Sequence, residues 1–273
     1  MDMIMRTRPK FKLKTISATF NRQLTDKPMN TSAKHPTGLT VLFDEDRHIY
    51  TVAETGQVLT SGTTFIGRFF PKFNAEKVAN KIAEKRNTTP QQLLNQWNKK
   101  RDNACDCGTF VHLYAEMLIN GDQLPIPRFA RERRLCDQAA RAVVALLKRF
   151  DVIEAEKIVF SPTLGIAGTI DLLLQDRVSK NIIIADWKQN EKIDRDNEYG
   201  EKAYSPIDYM DACSLNKYRI QLNLYQFILI HEGYYPAVPN YRRLLIHLQE
   251  GGFHGIKIND LQQVIAELVF SEI

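Results

Sequence analysis

Two carboxylates and an ammonium lie inside apolar runs of this 273-residue chain, where isolated charges are costly. The first run is Gly168-Thr169-Ile170-Asp171-Leu172-Leu173-Leu174, and the second is Asn181-Ile182-Ile183-Ile184-Ala185-Asp186-Trp187-Lys188. Both are short, rich in Ile and Leu, and separated by polar turn residues such as Gln175-Asp176-Arg177, which predicts strands. Uninterrupted apolar runs suit strands covered on both faces. Side chains alternate along a strand, so Asp186 and Lys188 share a face, and a hairpin between the two runs would bring Asp171 beside them. Such burial costs several kcal/mol per ion unless a counter-charge offsets it. A divalent cation is the usual offset and is also a catalyst.

Hard cations such as Mg²⁺ are held by one or two carboxylates, waters and substrate phosphate. They acidify a bound water and polarise a phosphoryl oxygen. A neighbouring lysine would orient that water or neutralise charge developing on the phosphate. Asp171, Asp186 and Lys188 therefore form a compact set for cleaving phosphodiesters. A structural ion pair near a strand end is the plainer reading of the same residues.

Two helical patterns add to this set. In Gly108-Thr109-Phe110-Val111-His112-Leu113-Tyr114-Ala115-Glu116, His112 and Glu116 fall one turn apart on one face. Beside Val111 and Leu113, His112 reads either as a hydrogen-bonded core residue or as a ligand, and imidazole ligation would favour Mn²⁺ alongside Mg²⁺. Further on, Tyr218, Gln221 and Tyr225 form one helical stripe, leaving Leu222, Leu224 and Ile228 to the core. Glutamine offers a donor and an acceptor, and tyrosine offers a hydroxyl and a stacking face.

These three motifs together resemble the PD-(D/E)XK nucleases. Gly168-Thr169-Ile170-Asp171 and Asp186-Trp187-Lys188 match the core signature, with Ile170 where the family usually has Pro. His112 and the Gln221-x-x-x-Tyr225 motif are similar to features of the RecB-type branch, which includes phage and mitochondrial exonucleases. The resemblance spans residues 108 to 225 in the family's order. It implies an α/β fold, a restriction-endonuclease-like core with a central mixed sheet flanked by helices, with an N-terminal β-hairpin and helical additions. It implies Asp171, Asp186 and Lys188 as catalytic residues. It also implies Mg²⁺ or Mn²⁺ held by His112, Asp171, Asp186 and the backbone carbonyl of Trp187. Gln221, Tyr225 and Tyr218 would contact DNA or support the lysine, and Glu116 would orient His112 or a basic residue. Glu156 sits where the family often carries an acid before the central strands, and it is read here as structural. Some RecB-type members bind an iron–sulfur cluster through a cysteine trio after the Gln-x-x-x-Tyr helix. No cysteine follows Cys213, and Cys105, Cys107 and Cys136 are scattered, so no cluster is expected.

Composition is that of an ordinary soluble protein, with 44% hydrophobic and 25% charged residues. No apolar stretch reaches the roughly 20 residues of a membrane helix, and the N-terminus lacks a secretory core. A cytoplasmic setting is expected, in the host cell if the chain is phage-encoded. Four cysteines in a chain this long do not suggest a disulfide framework. The net charge of +5 is unevenly placed: residues 1–38 carry +6 and the rest −1. Arg6, Arg8, Lys10, Lys12 and Lys14 alternate, so an extended segment would present all five on one face. Such an arm could track phosphates, form a solvated tail or a guarded edge strand, or serve as a mitochondrial transit segment.

The elements around the motifs read as follows. Residues 1–38 form a basic extension, and 39–273 form one nuclease domain with a helical part to 150 and a catalytic core from 151. A hairpin spans Leu39 to Val52, and Ser61 or Thr63 caps a short helix. Helices follow over Asn74–Arg86, from Pro90 through Lys100, around His112 to Asn120-Gly121, and over Phe129–Phe150. Strands occupy 152–164, 166–174 and 181–188. A polar loop from Gln189 to Ser214 borders the site. A strand at Tyr241–Leu248 and a helix at Asp260–Phe270 complete the chain. The function expected is metal-dependent hydrolysis of DNA, single-stranded or with free ends, by an exonuclease. A structure-selective endonuclease and a non-catalytic DNA-binding protein of the same fold are the alternatives.

Overall fold

In a computed structural model, residues 30–45, 47–235 and 240–272 are described. The alternating cations from Arg6 to Lys14 lie outside them. The fold is α/β, with a mixed nine-stranded sheet flanked by helices.

Strands β1 (Asn30–Lys34), β2 (Thr40–Asp44), β3 (Ile49–Val52) and β4 (Val58–Ser61) form an antiparallel meander. Strand β4 then runs parallel to the start of β6 (Ile166–Asp176). Strand β5 (Phe150–Ser161) lies antiparallel along the whole of β6, and β7 (Ile182–Lys188) pairs antiparallel with its second half. The expected hairpin is therefore present, and its register sets Leu172 opposite Ala185. Strand β8 (Tyr241–Gln249) runs parallel to β7, and β9 (Gly252–Ile258) pairs antiparallel with β8.

Local chemistry sets the helix starts. The Ser61 side chain accepts from the Thr64 N–H to cap α1 (Gly62–Gly67), and Asn74 caps α2 (Ala75–Ala83) through Lys77 N–H. Helix α3 (Pro90–Asn120) opens with a capping box, in which Thr89 Oγ1 accepts from the Gln92 N–H and Gln92 Oε1 accepts from the Thr89 N–H. Gly121 ends it in the left-handed conformation, φ 76°. Helices α4 (Ala130–Leu147), α5 (Ser214–His231) and α6 (Gln262–Phe270) follow.

The alternation along β6 and β7 sorts the core into two layers. Leu173 and Ile184 face α1, α5 and α6, meeting Phe65, Ile220 and Leu268. Leu172, Ile183, Ala185 and Trp187 face α3 and α4, meeting Phe110, Val111, Ala139 and Val143. Trp187 is 1% exposed, so truncating it to Ala would cost about 3–5 kcal/mol.

Four expectations need correction. The two helices read on either side of residues 100–108 are one 31-residue helix, α3. Its middle is polar on every side, and that hid the continuity. Helix α4 stops at Leu147, and Phe150 opens β5. Strand β9 falls in a stretch to which no element was assigned, where Gly252 and Gly255 dilute the strand pattern. The boundary placed at residue 38 falls inside the sheet, since β1 pairs with β2.

Candidate active site

The predicted residues converge where β5, β6 and β7 pass between α3 and α5. Because Trp187 points to the α3–α4 layer, its neighbours Asp186 and Lys188 point toward α5. Lys188 Nζ stands 2.5 Å from Asp186 Oδ2, and both side chains are largely buried. That oxygen accepts no hydrogen bond from the described residues, so the ion pair is its main compensation. The Lys188 ammonium also lies over the Tyr218 ring, 4.9 Å from its centre. From α5, Gln221 Nε2 reaches Asp186 Oδ1 at 3.4 Å and the Tyr225 hydroxyl at 3.3 Å.

Asp171 is buried on β6, and its Oδ2 accepts the Trp187 N–H at 2.8 Å. His112 on α3 brings Nδ1 to 3.4 Å from the same oxygen and to 3.9 Å from Glu156 Oε1. One ligand-type atom from each of His112, Glu156 and Asp171 lies within 4.8 Å of the others. Glu156 achieves this with φ at 50°, a left-handed backbone that a non-glycine residue rarely adopts.

Burial and charge act against each other here. Burial disfavours the His112 imidazolium, but the Asp171 and Glu156 carboxylates outweigh it and hold the ring at about 9. Burial pushes Asp171 above the usual carboxylate range despite the pull of His112. It also lifts Asp186 to about 6, against the downward pull of Lys188 and with a further rise from Asp171. For Lys188, desolvation lowers the pKa, yet the Asp186 and Asp171 charges win and raise it. The lysine is thus a stable ammonium.

The site opens into a cleft of about 680 Å³ whose lining includes His112, Glu116, Glu156, Asp171 and Gln221. The β1–β3 segment supplies the facing wall, and Tyr50 ties it to the floor through a 3.0 Å hydrogen bond to Thr169. A larger cavity of about 810 Å³ lies at the other end of the strands, around Asp176, Asn181 and Arg242, and holds none of these residues.

The structure thus gathers Asp171, Asp186, Lys188, His112, Gln221 and Tyr218, and lines the cleft with Glu116. It differs from the sequence reading in two respects. Glu156, read as structural, stands with His112 and Asp171, while the Asp186 oxygens turn to Lys188 and Gln221. The Trp187 N–H, on the backbone of the residue whose carbonyl was expected at the metal, is given to Asp171 Oδ2. Tyr225 is buried and packs against Gly62 and Gly168, so its ring is closed to a nucleotide base and its hydroxyl serves Gln221. The sequence signal for Glu156 was an acid on the strand preceding Asp171.

No protein-family model matches the chain, and no curated protein matches it.

Proposed function

We propose that this chain is a metal-dependent deoxyribonuclease of the PD-(D/E)XK type, RecB-type branch, acting as an exonuclease on DNA with free ends. The observation that carries the reading is the meeting of His112, Glu156 and Asp171 within 4.8 Å, next to a buried Asp186–Lys188 pair.

The residues fit a divalent cation. Two carboxylates and an imidazole converge without a lysine or arginine among them, and Asp186 lies nearby with its charge met by Lys188. An oxygen-rich set with one imidazole suits Mn²⁺ as well as Mg²⁺. His112, Glu156 and Asp171 would hold it, with Asp186 alongside. When bound, such a cation acidifies a water and offsets charge on the phosphoryl oxygens.

The chain's own groups account for the rest. The Trp187 N–H fixes one Asp171 oxygen, which orients the carboxylate toward His112. Lys188, paired with Asp186, is placed to donate hydrogen bonds to the attacking water or to the phosphoryl oxygen. Asp186 holds that ammonium, and Gln221 holds Asp186 in turn. Tyr225 fixes Gln221 from beneath. Preorganised donors of this kind act where charge develops, and buried as these side chains are they contribute more than in bulk solvent.

The test is digestion of one end-labelled linear DNA and its circular counterpart, with Mn²⁺, Mg²⁺ or EDTA. Cation-dependent release of nucleotides from the linear form alone is expected, and Asp171→Asn should abolish it. Cutting of the circle would make the chain an endonuclease. Absence of cleavage with either cation would overturn the reading and leave a DNA-binding protein.

A further inference from the structure

A second groove, about 420 Å³, leads away from the cleft, and Thr63 and Gln221 line both. Its character is the reverse of the cleft's. The cleft carries Glu45, Glu116, Glu154, Glu156 and Asp171, whereas no acid lines the groove. The groove instead interleaves the aromatic rings of Phe70, Phe73 and Tyr218 with the cations Lys72 and Lys217. Among the described residues, no carboxylate pairs with either lysine; Lys217 lies over the Phe70 ring at 5.4 Å.

Phe73 is the unusual member. It is 72% exposed, although a benzyl side chain gains by burial. Its ring lies 6.1 Å from that of Trp97, which packs with Ala79, Ala83 and Leu93 between α2 and α3. At the inner end of the groove, Tyr218 is anchored by its hydroxyl to Asn190 and carries Lys188 on its ring.

We infer that this groove is the track of an unpaired nucleic-acid strand entering the cleft, with Phe73 as a stacking platform and Lys72 and Lys217 as phosphate contacts. The inference rests on the nuclease reading and adds to it the substrate's strand state. A base inside a duplex has both faces covered by its neighbours and only an end pair leaves one face open, so a ring projecting from a groove that tracks a backbone suits successive unpaired bases. Aromatic rings alternating with cations are the general device for sequence-tolerant binding of single strands. The separation of charge also gives direction: the backbone is gripped along the basic groove, and only the phosphate at the acids needs a cation to approach.

The experiment is fluorescence anisotropy with a labelled 12-nucleotide strand and its blunt duplex, in EDTA so that nothing is cleaved. The full chain is compared with Phe73→Ala, Phe73→Trp and the double variant Lys72→Ala/Lys217→Ala. We expect the wild type to favour the single strand. Phe73→Ala should weaken single-strand binding by roughly 5- to 150-fold, the range for losing one stacked base, with Phe73→Trp restoring it and duplex affinity little changed. The double lysine variant should reduce the salt slope on the single strand by about 1.4, at 0.7 per phosphate contact. Unchanged single-strand affinity in Phe73→Ala, or an equal loss on both substrates, overturns the inference. Because this readout involves no catalysis, it separates from the nuclease reading. Cleavage by a wild type whose affinity ignores Phe73 sinks only the groove. Phe73-dependent binding without any cleavage supports the groove and sinks the nuclease.

Discussion

Gly168 and Tyr225 occupy one space: a Cβ built on Gly168 would overlap the buried Tyr225 ring. The hydroxyl end of the ring sits against the β6 backbone at Gly168, three residues before Asp171, and the hydroxyl meets Gln221 beside Asp186. A glycine in the middle of a strand is otherwise a cost in entropy and packing. Here it permits the close approach of a helix that carries part of the site.

Gly168→Ala is therefore expected to destabilise the protein by about 1–3 kcal/mol, the usual range for overpacking, and to lower activity by displacing Gln221. Tyr225→Phe should keep most of the stability and lose activity, because only the hydroxyl goes. Urea unfolding and turnover measured on both variants check this. A Gly168→Ala protein as stable as the wild type would show that the ring moves aside freely.

Glu156 poses an exchange between stability and chemistry. A non-glycine residue at φ 50° carries strain on the order of 1–3 kcal/mol. Glu156→Gly should relieve part of it while removing a carboxylate from the cluster, so the melting temperature should hold or rise as Mn²⁺ affinity falls at least tenfold. Glu156→Gln should lose affinity without the gain in stability. Calorimetric titration of Mn²⁺ alongside thermal melts decides, and unchanged affinity in both variants would return Glu156 to a structural role.

These residues also show where sequence reading stops. Asp171, Asp186 and Lys188 were legible because two apolar runs separated by a polar turn can hardly avoid forming a hairpin, and alternation then fixes their faces. His112 and Gln221 were legible as single residues on helices, but their meeting with the acids depends on how α3 and α5 dock against the sheet. Glu156 needed more: its contact depends on a left-handed residue in β5, near a shift of register between Val152 and Glu154. No side-chain pattern announces such a backbone. The polar middle of α3 and the glycines of β9 misled for a related reason, since tertiary packing overrode local propensity.

On the nuclease proposed above, Lys188→Ala should reduce turnover far more than DNA affinity, because its donors would be needed as charge builds on the phosphate. It should also destabilise the fold by leaving buried Asp186 without its cation, an effect of about 3–5 kcal/mol for broken buried pairs. Adding Asp186→Asn to Lys188→Ala should recover much of that stability and none of the activity. Should the double variant prove less stable than the single, the pair is not what compensates Asp186.

Far from the cleft, Asp176 supplies a titration of known sign. Its carboxylate accepts the Val178 and Ser179 N–H groups, each at 2.9 Å, and the Arg149 Nε at 2.7 Å. The Ser179 backbone bond, then Arg149, hold its pKa at about 2, below the ordinary 3.8. A depressed pKa means that the folded state favours the ionised form. Its contribution to stability is therefore complete above about pH 4 and disappears as the pH falls through about 2. Asp176→Asn, which keeps the shape and loses the charge, should melt lower than the wild type at pH 7. The gap between the two should narrow steadily between pH 4 and pH 2, because the wild-type carboxylate is then protonated as well. Thermal melts of both proteins across that range measure the gap, and a difference that stays constant down to pH 2 would mean that shape alone, without the ionised carboxylate, holds the β6–β7 turn.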